Sequence, residues 1–271
     1  MSRSIQGVAN TLYIPLVARI SVSKKFPEYF FDAKSLELER HIPAEWQGIM
    51  AASKEYEDMA AVARYFNLDA LTRDFIARHG ECNIVHLGAG LDTAYYRIAP
   101  TEARFYEVDL PHVAETRRQL LGDADGDTCL GGDLFGLEWT AAMDCGLPTL
   151  LIASGVFQYF EKPKVTDFIR TLREKFPQGE LVFDATDWIG IHVANWYVRR
   201  LGNRDAHMPF YINSSKQFAR QTETHLLGVR PFFTDARRIL GGKLKPMTRI
   251  SMLVGDTLRM SKLLHLKLNP A

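Results

Sequence analysis

Short apolar runs alternate with helical stretches over residues 82–186, and this alternation restricts the possible folds more than any other feature of the sequence. Between the runs, residues 111–121 and 162–176 carry apolar side chains at helical spacing. Strands that alternate with helices form βαβ units, whose parallel sheet has helices on both faces. We therefore predict a doubly wound, Rossmann-like α/β fold. The four predicted strands are CNIVHL at 82–87, ARFYEV at 103–108, LPTLLIAS at 147–154 and GELVFDAT at 179–186.

Three helices are predicted before the first strand. Residues 7–25 are apolar on a helical period, and residues 32–41 follow Pro27 as a second, short helix. The third helix is long, with Ser53 as its N-cap and Gly80 at its end. We expect the first two helices to form a cap over the core.

No repeat, low-complexity tract or linker divides the chain, so a single domain over residues 1–271 is the simplest interpretation. Residues 1–52 are expected to form the N-terminal helical cap, and residues 53–271 the Rossmann-like core. Residues 187–245 depart from the regular alternation. We expect them to form an insertion that shapes the substrate pocket.

Charge and cysteine content argue against several classes of function. The 33 basic and 32 acidic residues give a formal net charge of +1, which offers no attraction to a phosphate polymer, so no nucleic acid partner is expected. No apolar run reaches the roughly 18 residues of a membrane-spanning helix. The three cysteines are scattered without a CxxC pair, so no metal site is predicted, and unpaired thiols are typical of a cytoplasmic protein.

A glycine turn at the end of the first predicted strand indicates a nucleotide site. Gly88 and Gly90 have no side chains, so the backbone there can come close to a ligand. An acid that binds a ribose is expected about 20 residues further on, at the tip of the second strand. Asp109 lies there, 21 residues after Gly88.

Two ligands compete for this turn. A nicotinamide or flavin dinucleotide requires a third glycine, which lets the helix pack closely and present its N-terminus to a pyrophosphate. Thr93 occupies that position. S-adenosylmethionine has no pyrophosphate, so two glycines and an acid suffice, and the methyl donor is favoured. An NAD-dependent oxidoreductase remains the alternative.

Several motifs together carry a family resemblance. The chain resembles the leucine carboxyl methyltransferase and tetracenomycin O-methyltransferase family of class I S-adenosylmethionine-dependent enzymes over most of its length. The resemblance implies an enzyme that transfers a methyl group to a hydroxyl or carboxylate of a small-molecule acceptor. The motifs are GVANTLYIPLVAR at 7–19, LGAGLDT at 87–93, YEVDLP at 106–111, GGDL at 131–134 and LLIASGVFQYF at 150–160.

The resemblance implies a role for several residues in binding the donor. Arg64 would bind the methionine carboxylate, a task for which the forked guanidinium is suited. Gly88 would pass under the methionine portion, Gly90 of the same turn and Ser154 would also contact the donor, and Asp109 would bind the ribose.

The same resemblance places the adenine beside the GGDL segment. Asp133 would accept a hydrogen bond from the adenine amino group, and Leu134 would cover the ring, although Asp133 could equally be a turn residue. Asp92 and Thr93 belong to the glycine motif, and capping of the following helix explains them as well as ligand contact does.

The chain departs from the family pattern at Ser154, where the family generally carries an acidic residue near the donor. A hydroxyl can form hydrogen bonds but brings no charge. This departure leaves open a non-catalytic descendant of the fold that binds a nucleotide or a protein partner.

Methyl transfer requires an acceptor held in line with the methyl carbon, with water excluded, and few catalytic residues. A phenol or alcohol acceptor would need a base, whereas a carboxylate is already ionised. The candidates are Tyr159, Asp187, His192 and His207, which flank the carboxyl ends of the later strands. A packed core histidine is the alternative for His192, and a helix cap for Asp187. We assign no catalytic residue.

Overall fold

The computed structural model describes residues 12–43, 54–99, 101–122, 124–200 and 207–269. The α-helices are α1 (Tyr13–Lys25), α2 (Ala33–Leu38), α3 (Glu55–His79), α4 (Ala94–Ile98), α5 (Pro111–Leu121), α6 (Lys162–Lys175), α7 (Trp188–Arg200), α8 (Ser215–Gln221), α9 (Thr234–Leu240) and α10 (Pro246–Thr257). The strands are β1 (Asn83–Leu87), β2 (Arg104–Asp109), β3 (Asp127–Gly131), β4 (Thr149–Ala153), β5 (Gly179–Thr186), β6 (His225–Pro231) and β7 (Ser261–Lys267). Short 3-10 helices lie at Glu39–His41, Glu138–Ala142, Phe157–Tyr159 and Gly241–Lys243.

The seven strands form one sheet in the order β3-β2-β1-β4-β5-β7-β6. Neighbouring strands from β1 to β5 pair in parallel, whereas β7 is antiparallel to both β5 and β6. The carboxyl ends of the five parallel strands therefore lie along one edge, which is where open α/β sheets bind their ligands. The predicted doubly wound, Rossmann-like fold is confirmed.

Apolar side chains cover the two faces of the sheet separately, because successive residues of a strand point to opposite faces. Helix α3 packs on one face and α6 on the other. The first face joins Met59, Val62 and Phe75 of α3 to Ile84, Phe105, Ile152 and Val182 of the strands. The second joins Val165, Phe168 and Leu172 of α6 to Val85, Tyr106, Leu151 and Leu181.

Two features of the sheet differ from the sequence prediction. Strand β3 was not among the four predicted strands, since its sequence DTCLG begins with two polar residues and none of its five residues is fully buried. Strand β7 breaks the expected parallel arrangement. The pattern of apolar residues in β7 does not show whether the strand runs parallel or antiparallel to its neighbours, because a reversed strand presents its side chains to the same two faces.

The helix boundaries follow local signals. Gly80 ends α3 with a φ of +67°, as predicted for a glycine at a helix C-terminus. Lys54 is the N-cap of α3, and the predicted cap Ser53 lies outside the described residues. Pro111 begins α5 at a position that needs no backbone N–H donor.

The first two helices, which are the predicted cap, contact the glycine motif. Within the predicted helix at 7–25, α1 begins at Tyr13, and residues 7–11 lie outside the described residues. The guanidinium of Arg19 on α1 is buried, with Nε 3.0 Å from Oδ2 of Asp32, the N-cap of α2. Nη2 of Arg19 also donates to the carbonyl of Leu91, 2.5 Å away. A buried charge therefore joins the cap to the turn after β1.

Candidate functional site: a donor site at the carboxyl edge of the sheet

Gly88 and Gly90 have left-handed backbone conformations, with φ angles of +71° and +52°. Residues with a side chain are strained in this region. The turn is also close to its neighbours: a Cβ added to Gly88 would lie 2.5 Å from Cγ2 of Val156, and one added to Gly90 would lie 3.1 Å from Cδ1 of Leu12. Both conformation and space therefore require glycine at position 88, which supports the prediction of a close backbone approach.

Asp109 places its carboxylate beside the glycine turn. Oδ2 accepts a hydrogen bond from the backbone N–H of Gly90 at 2.7 Å, and Oδ1 accepts one from that of Leu110 at 2.7 Å. Burial raises the pKa of Asp109, and the two N–H donors oppose this shift. A carboxylate has about four lone-pair sites, so each oxygen can accept one more bond, for instance from a ribose hydroxyl.

The GGDL segment follows β3 and lies next to Asp109, because the N–H of Gly132 donates to the carbonyl of Asp109 at 2.8 Å. The side chain of Asp133 is exposed, and its Oδ1 accepts a hydrogen bond from the N–H of Phe135 at 3.0 Å. Asp133 is thus a turn residue whose exposed carboxylate can still reach a ligand. Leu134 is half-buried against the second face of the core.

Arg64 extends from α3 to the carboxyl ends of β4 and β5. Its side chain is 14% exposed, and Nη1 lies 3.2 Å from Oδ2 of Asp184 on β5. Burial opposes the charge, but Asp184 outweighs it and raises the pKa of Arg64 above its usual range. Nε is buried without a hydrogen-bond partner among the described residues. The guanidinium is therefore charged and has an unused donor.

Arg64 also lies next to the segment that contacts the glycine turn. A Cβ added to Gly155 would lie 2.9 Å from Nη1 of Arg64, and the next residue, Val156, is the one that packs against Gly88. The guanidinium, the end of β4 and the glycine turn are thus continuous neighbours, as the assignment of Arg64 to the donor requires.

Sequence reasoning missed Asp184. Its Oδ1 accepts the N–H of Gly155 at 2.5 Å, so the carboxylate joins the ends of β4 and β5 as well as binding Arg64. A signal was available in the sequence. Asp184 interrupts the apolar strand GELVFDAT, two residues after Val182 and therefore on the same buried face of the sheet. A charged residue at such a position is rare unless it is paired.

Ser154 lies at the end of β4, beside the Arg64–Asp184 pair. Its Oγ is buried and has no hydrogen-bond partner among the described residues, and the same holds for Oγ1 of Thr186 at the end of β5. Native buried polar atoms are nearly always paired with protein or water. Both hydroxyls are therefore available to a bound molecule at this edge.

Asp92 and Thr93 act through an ion-pair network, and neither caps α4 with its side chain. Nη1 of Arg97 lies 3.1 Å from Oδ1 of Asp92 and 2.8 Å from Oγ1 of Thr93. Arg97 also binds both carboxylate oxygens of Asp69 at 2.8 Å, and Oγ1 of Thr93 donates to Asp32 at 2.6 Å. This half of the glycine motif thus joins the turn to the cap and to α3.

A second buried charge cluster, on β1, β2, β3 and α5, supports the turn from behind. Nδ1 of His86 lies 3.1 Å from Glu107, and Nη2 of Arg117 lies 3.5 Å from both Glu107 and Asp127. Nη1 of Arg117 donates to the backbone carbonyl of Asp92 at 2.5 Å. Burial and the neighbouring charge of Glu107 raise the pKa of Asp127 to about 7.

The acceptor candidates do not form a catalytic cluster. Asp187 accepts the N–H of Gly190 at 2.7 Å, which makes it a helix cap for α7. His192 is exposed, so it is not a packed core histidine, and its Nδ1 donates to the carbonyl of Trp188 at 2.7 Å. Tyr159 is half-buried in a 3-10 helix, and His207 is exposed. Within the described ranges, no hydrogen bond joins any two of these four side chains.

The residues at this edge fit S-adenosylmethionine. The glycine turn allows close approach, Asp109 keeps acceptor capacity for ribose hydroxyls, and Arg64 keeps a buried N–H donor for a carboxylate. Thr93 occupies the position of the third glycine of a dinucleotide site, and its hydroxyl accepts a hydrogen bond from Arg97. The geometry therefore favours the methyl donor over NAD.

Comparison with known proteins agrees with this geometry. Residues 22–173 match the family model described as leucine carboxyl methyltransferase. The tetracenomycin polyketide synthesis O-methyltransferase TcmP of Streptomyces glaucescens is 29% identical over 182 residues, which is 67% of this chain and 67% of that protein. The human tRNA wybutosine-synthesizing protein 4 is 28% identical over 132 residues, which is 36% of this chain but only 19% of that protein.

Among solved structures, a DUF574 family protein from Streptomyces avermitilis superposes with a TM-score of 0.54. It is 15% identical, and the match covers 92% of this chain and 96% of that one. At this identity the likeness shows only the fold. The family match covers more than half of the chain and decides between the two nucleotide ligands. The chain therefore belongs to the leucine carboxyl methyltransferase family and is a methyltransferase that uses S-adenosylmethionine as its methyl donor.

Proposed function

We propose that this methyltransferase is an O-methyltransferase acting on a hydroxyl or carboxylate of a small molecule. The observation that carries the proposal is the 29% identity to TcmP, which is named an O-methyltransferase, over two thirds of both chains. Oxygen as the acceptor atom is consistent with the few catalytic groups at the site, because a carboxylate acceptor is already ionised at neutral pH.

Four residues would hold the methionine and ribose portions of the donor, which supplies an electrophilic methyl group when bound. Arg64 would pair with a carboxylate through the N–H groups that Asp184 leaves free. Asp109 would accept hydrogen bonds from the ribose hydroxyls, next to the backbone of Gly88 and Gly90. These contacts fix the position of the reacting carbon without taking part in bond making, as expected for catalysis by orientation.

Asp133 and Leu134 would bind the adenine. The exposed carboxylate of Asp133 can accept a hydrogen bond from an amino group, and the half-buried side chain of Leu134 offers an apolar surface to the ring. Their position after β3, beside Asp109, places them where a base attached to that ribose could reach them.

Residues 187–245 would shape the acceptor pocket. Helix α7 begins at the end of β5 and carries Trp188 and Trp196, whose side chains are 52% and 59% exposed. Ile189 and Val193 of the same helix are exposed as well. A group of exposed apolar side chains on one helix is typical of a binding surface. Tyr159, Asp187, His192 and His207 remain candidates for acceptor contact. Because Nδ1 of His192 donates to the carbonyl of Trp188, its Nε2 is the ring nitrogen that could accept a proton from an acceptor hydroxyl.

The proposed partner is a small molecule in the cytoplasm. None of the helices in the described ranges is both long and apolar enough to span a membrane. The formal net charge of +1 provides no attraction for nucleic acid, and we propose none as a partner.

The test combines binding and turnover. Titration calorimetry with S-adenosylmethionine should give micromolar binding, and Asp109→Asn should weaken it, because an amide offers one acceptor oxygen where the carboxylate offers two. A panel of phenols, alcohols and carboxylic acids, incubated with donor labelled in the methyl group, should include an acceptor that gains the label on oxygen.

Three outcomes would contradict the proposal in different ways. Label on nitrogen or carbon would retain methyl transfer and reject the acceptor atom. Donor binding without turnover across the panel would favour the non-catalytic descendant. Quenching of the intrinsic fluorescence by NADH, without binding of the methyl donor, would revive the oxidoreductase.

A further inference from the structure

Asp184 and Ser154 lie side by side at the carboxyl edge of the sheet. The register of β4 and β5 pairs Ala153 with Phe183, so the next residues of each strand, Ser154 and Asp184, come opposite each other. Both continue the alternation that points Ile152 and Val182 to the face covered by α3. The resemblance implies an acid at position 154, after β4, where this chain has Ser154. Asp184 supplies a carboxylate beside that position from the neighbouring strand, β5.

The contacts of Asp184 leave it available to a ligand. Oδ2 lies 3.2 Å from Nη1 of Arg64, and Oδ1 accepts the N–H of Gly155 at 2.5 Å. Each oxygen therefore has one protein donor and can accept another hydrogen bond. The side chain is 10% exposed, so its charge is only weakly screened by solvent.

The charge balance of the site depends on this residue. Arg64 is positive, and the buried hydroxyl of Ser154 brings no charge to offset it. S-adenosylmethionine carries one positive charge more than its demethylated product, because methyl transfer converts a sulfonium into a neutral thioether. The carboxylate that would pair with Arg64 is present in both ligands, so its contribution cancels in the ratio of their affinities. A site made one charge more positive by the loss of Asp184 would therefore bind the sulfonium less well relative to the thioether.

We propose that Asp184 supplies the negative charge of the donor site that position 154 lacks, and that it thereby sets the preference for S-adenosylmethionine over its demethylated product. The inference rests on the proposed placement of the donor beside Arg64. Asp184 is a specificity residue in this role: it balances Arg64 and favours the charged ligand.

The first test is the ratio of the dissociation constants for the two ligands, measured by calorimetry in the wild type and in Asp184→Asn. This substitution keeps the shape of the side chain and removes one charge. We expect the affinity for S-adenosylmethionine to fall by about tenfold more than the affinity for the product, as for one charge a few ångströms from another in a partly buried site. A change that only disturbed the structure would weaken both ligands alike and leave the ratio unchanged.

Ser154→Glu provides the rescue. In the double variant Ser154→Glu/Asp184→Asn, the carboxylate is supplied from β4 instead of β5. The ratio of the two dissociation constants should then return most of the way to its wild-type value. Ser154→Glu alone should shift the ratio towards the donor, and this variant tests the proposal even if Asp184→Asn does not fold.

Asp256→Asn is the matched control. Asp256 also pairs with an arginine, at 3.3 Å from Nη2 of Arg237, and accepts a backbone N–H, that of Phe233, at 3.0 Å. It lies on α10, away from the glycine turn, and its replacement should leave the ratio unchanged.

The failures are distinguishable. An unchanged ratio in Asp184→Asn, with both ligands still bound, overturns this inference and leaves the proposed function intact. Absence of binding of both ligands to the wild type overturns the proposed placement of the donor itself. A shift of similar size in Asp256→Asn would assign the effect to general charge and would also overturn the inference.

Discussion

Replacing Asp32 with Asn should destabilise the protein by about 3 kcal/mol, the lower end of the cost of breaking a buried ion pair. The carboxylate is fully buried, with Oδ2 3.0 Å from Nε of Arg19 and 3.3 Å from Nη1 of Arg97. Arg97 keeps Asp69 and Asp92 as partners, whereas Arg19 has no other ion pair among the described residues. The loss of stability therefore comes mainly from leaving the buried guanidinium of Arg19 without a counter-charge.

The free energy of unfolding can be measured with urea, and thermal unfolding should show a decrease of about 10 °C, at a few degrees per kcal/mol for a chain of this size. Glu81→Gln is the control, because its ion pair with Arg104 is exposed on both sides and should contribute under about 1 kcal/mol. A loss below 1 kcal/mol in Asp32→Asn would refute the reasoning, since it would mean that Arg19 needs no counter-charge.

The pH dependence gives a second readout of the same change. Burial raises the pKa of Asp32, but Arg19 and Arg97 outweigh it and hold the pKa below its ordinary value. The folded state therefore binds this proton less readily than the unfolded chain does. The contribution of Asp32 is present above about pH 4 and is lost as the pH falls below that value. The stability of Asp32→Asn should accordingly fall less steeply in acid than that of the wild type.

Three further substitutions test the site and its support. Because the pKa of Asp127 is raised from about 4 in the unfolded chain to about 7 in the folded protein, the free energy of unfolding should decrease as the pH rises from about 4 to 7, and this decrease should be smaller in Asp127→Asn. Arg64→Lys should weaken donor binding by about tenfold in calorimetry, since an ammonium lacks the forked geometry of a guanidinium. Gly88→Ala should abolish donor binding and lower the melting temperature, because its Cβ would meet Val156 at 2.5 Å in a left-handed conformation.

Local signals predicted the elements that position the proposed donor site. Strand β5 was predicted with its observed bounds, and Gly80 ends α3 as expected. Asp109 could be placed beside the glycine turn because the length of a βα unit fixes the distance along the chain between the two strand tips. Each of these inferences depends on periodicity or spacing within about 30 residues.

The missed features join distant parts of the chain. Arg64 and Asp184 are 120 residues apart, and the sequence contains no signal that pairs one with the other. No local pattern in the sequence singles out Arg97, yet it connects Asp32, Asp69 and Asp92. Such ion pairs are specified by packing and not by local pattern, and a buried acid in an apolar strand was the one usable indication.

The antiparallel strand β7 affects the order in which the sheet can be completed. It lies between β5 and β6, although it is synthesised after both, and within the described part of the chain it is the one strand that pairs with β6. While the chain is being made, β1 to β5 can associate and form the donor half, but β6 has no place in the sheet until β7 arrives. Pairing between strands so distant in the sequence is slow. We therefore expect the nascent chain to pass through a stage in which β1 to β5 are paired while the outer edge of β5 is open to solvent and to chaperones.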